Sequence, residues 1–164
     1  TILTLTGCSF FDFFSDDEDT PTLYCFDIDK NETNLIHSQT KDSYYGMGFD
    51  NILWSPNSKY IAYTDLYKED ISLDIYINTP TSNNLTTIPS HYIPNFGWND
   101  DSTIFYFIAE DGVTKSYTIN ENTITTSNIN INQLSTNIDN STNININDNI
   151  YSPNSEYYLY LNYE

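Results

Sequence analysis

Three stretches of the chain repeat one pattern of apolar and polar positions. The clearest copy reads Trp54-Ser-Pro-Asn-Ser-Lys-Tyr-Ile-Ala-Tyr63, and weaker copies run over residues 98–107 and 151–160. In each copy an aromatic residue leads into a polar turn, and the turn leads into an apolar run. Pro and Asn suit turn positions, whereas Ile, Tyr and Phe suit a pleated, half-buried surface. The pattern therefore predicts a strand, a turn and a second strand at each place.

A second kind of hairpin follows two of these copies. Alternating runs at 73–78 and 84–88 are separated by a polar turn, and so are those at 115–119 and 123–126. Residues 22–37 form an isolated hairpin of the same kind. A complete unit thus has four antiparallel strands and repeats every ~40–50 residues, which is typical of the blades of a β-propeller.

The repeats predict how the chain is divided. We expect a half blade at 22–38, a blade at 49–88, a blade at 95–128, an Asn- and Ile-rich insertion at 128–147 and a half blade at 148–164. The insertion is either a floppy segment or an extra edge strand. If the two half blades paired, a ring would have three blades, whereas closed propellers typically have about four to eight, so we do not expect a closed ring. The predicted fold is all-β, a partial β-propeller in the form of an open arc of about three four-stranded antiparallel blades, some incomplete. We also expect the chain to be an N-terminal fragment of a longer protein.

The clearest repeat resembles a known family. Together with Asp74-Ile-Tyr76 and Leu85-Thr86, it is similar to the repeat of TolB-type propellers and of the propeller domain in prolyl oligopeptidase-like peptidases. The resemblance implies a WD-repeat-like propeller but little about function, because propellers host unrelated activities. The family usually has Gly in the turn, whereas this chain has Ser58, Ser102 and Ser155. We therefore expect these serines to adopt a backbone conformation that Gly adopts without strain.

The beginning of the chain resembles the end of a bacterial lipoprotein signal peptide. Leu5-Thr-Gly-Cys8 is similar to a lipobox, lies behind an apolar tail and precedes an acidic stretch. The resemblance implies that residues 1–7 end the signal peptide, that Cys8 is lipidated, and that residues 8–21 comprise this Cys and an acidic tether. Alternatively, Cys8 is a small buried hydrophobe near a chain end. The four Phe within residues 10–14 either rest in the lipid interface or dock onto the folded body.

A lipid on Cys8 implies that the membrane is one partner and that the protein is exported to the bacterial cell envelope. The membrane face, inner, outer or surface, is left open. With 5 Lys and Arg against 23 Asp and Glu, the net charge is −18. Nucleic acid is therefore excluded as a partner, since phosphate contacts need clustered Lys and Arg. The acidity indicates either solubility or an acidic binding surface.

Candidate chemistry is sparse. The chain has no Gly-x-Ser-x-Gly motif, and its only histidines, His37 and His91, lack the neighbours that a zinc site needs. Asp27-Ile-Asp-Lys-Asn31 begins like a calcium loop, but Glu32 replaces the essential Gly. We therefore expect no catalytic residue, no metal site and no cofactor. Cys25 lies in the middle of a predicted strand, and we expect it in the core.

The aromatic residues that lead the repeats are Trp54, Trp98 and Tyr151. We expect them to be packing anchors between adjacent blades; the alternative is that they are ligand platforms. Clustered tyrosines, such as Tyr44 and Tyr45 or Tyr157, Tyr158 and Tyr160, have rings that can stack on sugars, although strand alternation turns half of them towards the neighbouring sheet.

The function predicted from these features is that of a membrane-anchored envelope lipoprotein. Its propeller is expected to be non-catalytic and to bind another protein or a peptide. Two alternatives remain open: the accessory propeller of a serine peptidase whose catalytic domain lies outside this sequence, and a glycan-binding surface protein.

Overall fold

The computed structural model describes residues 21–38, 49–65, 74–89, 95–134, 136–137 and 150–163. Within these ranges the chain is built from antiparallel strands, and the only helical element is one 3-10 turn at Ile131–Gln133. The all-β prediction is thereby confirmed. The strands are β1 (Pro21–Asp27), β2 (Glu32–Ser38), β3 (Phe49–Trp54), β4 (Ile61–Asp65), β5 (Ile75–Thr79), β6 (Ser82–Ile88), β7 (Phe96–Trp98), β8 (Ile104–Ile108), β9 (Thr114–Thr118), β10 (Thr123–Thr126), β11 (Thr136–Asn137), β12 (Ile150–Tyr151) and β13 (Tyr157–Tyr163).

The strands form three antiparallel sheets, which we name A, B and C. Sheet A has the order β12-β13-β1-β2, sheet B the order β3-β4-β5-β6, and sheet C the order β10-β9-β8-β7-β11. Short polar turns connect β1 to β2 and β9 to β10. Asn31 and Asn122 end the β1–β2 and β9–β10 turns with φ of 55° and 52°, a region that Asn tolerates better than most residues.

Sheet A joins two distant parts of the chain. Seven consecutive pairs connect β1 to β13, from Pro21 opposite Tyr163 to Asp27 opposite Tyr157. Residues 22–38 and 148–164 were predicted as halves of two different, incomplete blades. In the structure they complete one four-stranded sheet, because β1 offers an open edge and β13 alternates apolar and aromatic residues to match it.

Sheet C differs from the prediction in having a fifth strand. Thr136 of β11 pairs with Trp98, and Asn137 pairs with Gly97. These residues lie in the predicted Asn- and Ile-rich insertion, of which residues 135 and 138–147 fall outside the described part of the chain. The remaining strands of sheet C end at Thr126, close to the predicted limit of residue 128.

Sheet B lies between the other two sheets and contributes to two apolar cores. Strand alternation sends Ile61 and Tyr63 into the core shared with sheet A, while Ala62 between them enters the core shared with sheet C. Each fully buried aliphatic or aromatic side chain stabilises the fold by about 1.5–3 kcal/mol relative to an exposed one. The molecule is therefore held together by packing between sheets in the order A, B, C.

Candidate functional site

The same turn occurs once in each sheet: between β3 and β4 in sheet B, between β7 and β8 in sheet C, and between β12 and β13 in sheet A. The first turn residue, Ser55, Asn99 or Ser152, accepts a hydrogen bond through its side-chain oxygen from the backbone N–H five residues later. The distances are 2.9 Å for Tyr60, 3.0 Å for Ile104 and 3.1 Å for Tyr157. The fourth residue has a left-handed backbone, with φ of 60° at Ser58, 58° at Ser102 and 60° at Ser155. The expectation that these serines replace Gly in conformation is thereby met.

Besides their shared apolar core, sheets A and B meet at Trp54 and at their turns. The Trp54 indole, at the end of β3, stacks on the ring of Tyr157 with centroids 6.1 Å apart, and it donates its Nε1–H to the carbonyl of Ile150 over 3.2 Å. At the turns, the backbone N–H of Asn154 donates to Ser58 Oγ over 3.1 Å. One sheet thus supplies an indole and a serine oxygen, and the other supplies a ring and a turn N–H.

Sheets B and C meet through an equivalent ring stack and an equivalent hydrogen bond between their turns. Trp98, at the end of β7, stacks on Tyr60 with centroids 5.7 Å apart. The backbone N–H of Asn57 donates to Ser102 Oγ over 3.0 Å. Trp54 and Trp98 are 5% and 0% exposed. Both therefore lie buried between neighbouring sheets.

Tyr151 holds the equivalent position in sheet A but differs in its surroundings. It is 56% exposed, and its ring contact is within its own sheet, with Tyr158, at 5.6 Å between centroids. Ser155, the equivalent of the buried Ser58 and Ser102, is exposed as well. Sheet B covers the opposite face of sheet A, so no described sheet lies against Tyr151, and its expected packing between sheets does not occur.

Tyr151 belongs to a row of apolar side chains on this outer face of sheet A. The rings of Tyr24 and Tyr160 stack across β1 and β13 at 5.4 Å, and those of Phe26 and Tyr158 at 5.0 Å. Leu35 lies opposite Tyr24 on β2 and is exposed. We call the six residues the aromatic face; they are Tyr24, Phe26, Leu35, Tyr151, Tyr158 and Tyr160. None carries a charge, in a chain with 23 acidic residues.

The chemistry of the aromatic face is that of an interaction surface. Contiguous exposed apolar patches commonly mark protein interfaces, and Tyr is enriched there. Of the tyrosines clustered at 157–160, Tyr158 and Tyr160 lie on this face, whereas Tyr157 packs on Trp54 at the junction with sheet B. Tyr24 and Phe26 were not predicted. The alternation over residues 22–29 indicates that Tyr24 and Phe26 share one face of a strand. Only the pairing of β1 with β13 places them against Tyr160 and Tyr158.

The outer face of sheet C carries a cavity instead of an aromatic row. Its volume is about 240 Å³, and it lies beside the turn at Asn99. Tyr106, in the middle of β8, is 8% exposed and lines it. The remaining lining residues come from the turn and from the segment after β10; they are Asp100, Ile129, Gln133 and Leu134.

A cluster of three polar side chains, which the sequence did not predict, lies inside the junction of sheets A and B. Asn78 Nδ2–H donates to the Tyr63 hydroxyl over 2.7 Å, and His37 Nδ1 lies 3.1 Å from the same oxygen. The His37 ring also meets Phe49 and Tyr76 edge-on, at 5.3 and 4.7 Å between centroids. This histidine is therefore part of the packing between sheets.

The turn that resembled a calcium loop is closed by its own lysine. Asp27 Oδ1 accepts the backbone N–H of Lys30 over 3.0 Å, and Oδ2 accepts its Nζ over 2.7 Å. These bonds hold the pKa of Asp27 below its usual value. Across the part of the chain that the structure describes, no group of three His, Cys, Asp or Glu side chains is placed to hold a metal ion.

Of the two cysteines, the structure describes Cys25. Cys25 is fully buried in the core between sheets A and B, and burial, reinforced by the charge of Asp27, raises the pKa of its thiol to about 12. Cys8, with the lipobox, the signal-peptide end and the acidic tether, lies outside the described residues. His91 lies outside them too.

Comparison with known proteins gives no relative. A scan against protein-family models gives no match, and neither a search of curated proteins nor a search of solved structures gives one. Among the residues described above, no helix is long and apolar enough to cross a membrane.

Proposed function

We propose that the chain is a non-catalytic lipoprotein of the bacterial cell envelope, anchored through a lipid on Cys8, that binds another protein or a peptide through the aromatic face of sheet A. In this proposal sheets A, B and C are blades of a partial β-propeller. The resemblance of Leu5-Thr-Gly-Cys8 to a lipobox supports the anchor. The repeated contacts of Trp54 and Trp98 support the blades.

The exposure of Tyr151 is the observation that carries the binding function. Trp54 and Trp98, at equivalent positions, are buried by a neighbouring sheet, whereas Tyr151 is 56% exposed within an uncharged aromatic face. Burying apolar surface contributes about 25 cal/mol per Å² removed from water, and aromatic rings have the largest areas to bury. A protein or peptide that covers this face therefore gains affinity without having to neutralise a charge.

Site-specific photo-crosslinking in cells tests the binding function. A photoreactive phenylalanine analogue replaces Tyr151 in the full chain, and in a control chain it replaces Ile124, which is 50% exposed on β10 of sheet C. We expect a crosslinked protein product at position 151 that is missing or much weaker at position 124. Equal products at both positions, or none at 151, would contradict a specific binding role for the aromatic face.

Metabolic labelling tests the anchor separately. Cells producing the wild-type chain or Cys8→Ser are fed a clickable fatty acid, and the purified chains are compared. We expect label on the wild-type chain only. Equal labelling of the two chains would remove the lipid anchor from the proposal.

A glycan is the second candidate ligand, favoured by the half-exposed rings of the aromatic face. Tyrosine rings of this kind can stack on the apolar faces of sugars, as they stack on other rings. A glycan array probed with the purified chain tests this candidate. An absence of hits sets it aside.

A further inference from the structure

We propose that the partner of the aromatic face is a second copy of this chain, bound head to tail. Sheet A of each copy packs on sheet C of the other, so that two copies form a closed ring of six sheets. This inference rests on the proposed function, because it names the partner of the surface proposed there.

The two outer faces carry complementary halves of the junction that occurs twice inside the molecule. Sheet A offers Tyr151 at the position of Trp54 and Trp98, and Ser155 at the position of the accepting serines. The other half of each internal junction is a ring that directly follows a turn, Tyr60 or Tyr157, and a backbone N–H from that turn. Sheet C has the backbone N–H of Asp101 at the position of Asn57 and Asn154, and it has the aliphatic Ile104 at the position of the ring.

The cavity on the outer face of sheet C supports the same head-to-tail packing. In the junction of sheets B and C, the Trp98 ring lies against Tyr60, the residue that directly follows the turn of sheet B. The corresponding place on sheet C is beside the turn at Asn99, where the cavity of about 240 Å³ lies. Tyr106, Ile129 and Leu134 give it aromatic and aliphatic walls. Asn99, Asp100 and Gln133 complete the lining with polar groups. The cavity therefore offers a tyrosine such as Tyr151 of a second copy apolar contacts for its ring and polar neighbours for its hydroxyl.

Two copies of three sheets are enough to close a ring. A contact between two different surfaces of one chain generates a ring when the rotation closes, and an open filament when it does not. Closed propellers typically have about four to eight blades, and two copies of three sheets fall within that range. Two copies related by a twofold axis make the same contact twice and leave neither outer face exposed.

Charge sets the conditions for association. Each copy carries a net charge of −18, and Glu156 next to Ser155 comes close to Asp101 across the new junction. The aromatic face itself is uncharged. Repulsion between surface charges is screened by salt, with a Debye length of ~10 Å at 0.1 M ionic strength and ~3 Å at 1 M. We therefore expect the dimer to strengthen as salt is raised.

Sedimentation velocity tests the dimer. The full chain is purified as Cys8→Ser, which removes the proposed lipid, and measured over a range of concentrations at low and high salt. We expect a monomer–dimer equilibrium that shifts to dimer with salt and no larger species. Tyr151→Ala should weaken the dimer at least tenfold, as residues at interface centres often do, whereas Ile124→Ala should leave it unchanged. A monomer under all conditions, or an open series of larger species, overturns the ring.

Cysteine crosslinking tests the head-to-tail geometry. Asp101→Cys and Ser155→Cys chains, each on the Cys8→Ser background, are oxidised separately and as a mixture. Head-to-tail packing predicts a disulfide-linked dimer in the mixture and little in either chain alone. A Ser155→Cys dimer formed alone would show that two aromatic faces pack on each other, and it would overturn the proposal.

The failures of the two proposals are distinguishable. If the chain stays monomeric while the photoreactive group at position 151 captures a different protein, the aromatic face remains a binding surface and the second copy is excluded. If neither occurs, both proposals fail. Circular dichroism of each variant checks that the β structure is retained, so that a lost dimer is not an unfolded chain.

Discussion

Trp54 stacks on Tyr157 across the junction of sheets A and B, although 103 residues separate them in the sequence. The same indole donates a hydrogen bond to the carbonyl of Ile150. Sheet A is therefore fixed to sheet B by a residue that touches both β12 and β13. In the junction of sheets B and C, Trp98 stacks on Tyr60, so each tryptophan ring joins a pair of sheets.

Replacing Trp54 should separate the contribution of its ring from that of its hydrogen bond. Trp54→Phe retains an aromatic ring and loses the bond to Ile150, which should cost about 0.5–1.5 kcal/mol. Trp54→Ala also loses the buried ring and should cost about 3–5 kcal/mol of unfolding free energy. Urea titration followed by the fluorescence of Trp98 measures both. Equal losses in the two variants would show that ring packing is not what joins the sheets.

The turn serines allow backbone strain and hydrogen bonding to be compared. A left-handed backbone costs a non-glycine residue about 1–2 kcal/mol, so Ser155→Gly, at an exposed position, should raise the free energy of unfolding by up to about 1 kcal/mol. Ser102→Gly gains the same relief but loses the oxygen that accepts the Asn57 N–H. It should therefore be less stabilising than Ser155→Gly.

Thermal unfolding of the two glycine variants measures this difference at low protein concentration, where the chain is monomeric. Ser155→Gly should at the same time weaken the head-to-tail dimer, because it removes the proposed acceptor oxygen. A Ser155→Gly chain that is less stable than the wild-type monomer would contradict the strain argument.

The Tyr63 hydroxyl should be a stabilising group of the A–B junction. It accepts the Asn78 side-chain N–H and lies 3.1 Å from His37 Nδ1, in a side chain that is fully buried. Tyr63→Phe keeps the ring and removes this oxygen, which should cost about 1–3 kcal/mol. The matched control is Tyr158→Phe on the aromatic face, where a change within about 0.5 kcal/mol is expected. Urea denaturation compares them, and similar effects at both positions would contradict the assignment.

Stability should fall at alkaline pH because of Cys25. Its pKa is raised from 9.0 to about 12 in the folded chain by burial and by Asp27. Since the unfolded thiol ionises first, the contribution of the neutral buried thiol is present below pH 9 and is lost as pH rises towards 12. Cys25→Ala should flatten this part of the stability profile, measured by urea denaturation between pH 8 and 11 on the Cys8→Ser background.

The same burial should protect Cys25 from thiol reagents. In the folded Cys8→Ser chain at pH 8, an aromatic disulfide reagent should react with Cys25 much more slowly than after denaturation, because the reactive thiolate is suppressed. Rapid reaction in the native chain would show that the core between sheets A and B opens readily.

Local sequence patterns predicted much of the fold and part of the site. Trp54 and Trp98 lead repeated turns, and the alternation behind them was sufficient to place both strands and the left-handed serines. The pairing of β1 with β13 was not expected, because three blades are fewer than closed propellers usually have and because a strand's pattern specifies which face is apolar but not which distant edge it joins. An extra edge strand was one alternative for the Asn- and Ile-rich stretch, but β11 lies at Thr136–Asn137, between the two runs whose alternation suggested it.

The position of Tyr151 shows a further limit of local patterns. Its place in the repeat is the same as that of Trp54, so the sequence predicted the same burial for both. Burial depends on whether a second sheet is present at that face, and this is a property of the assembly rather than of the repeat. The Asn78, Tyr63 and His37 group was missed for a related reason, because it arises only where two sheets meet.

The pairing of β1 with β13 also sets an order of events during synthesis. Sheets B and C, within residues 49–137, can form while the later residues are still being added, but β1 has to wait for residues 157–163. Contacts of such long sequence separation form slowly. Until then β1 has an unpaired edge, the kind that invites pairing with other chains. A nascent chain of this design should therefore depend on chaperones most strongly between the appearance of β1 and the arrival of β13.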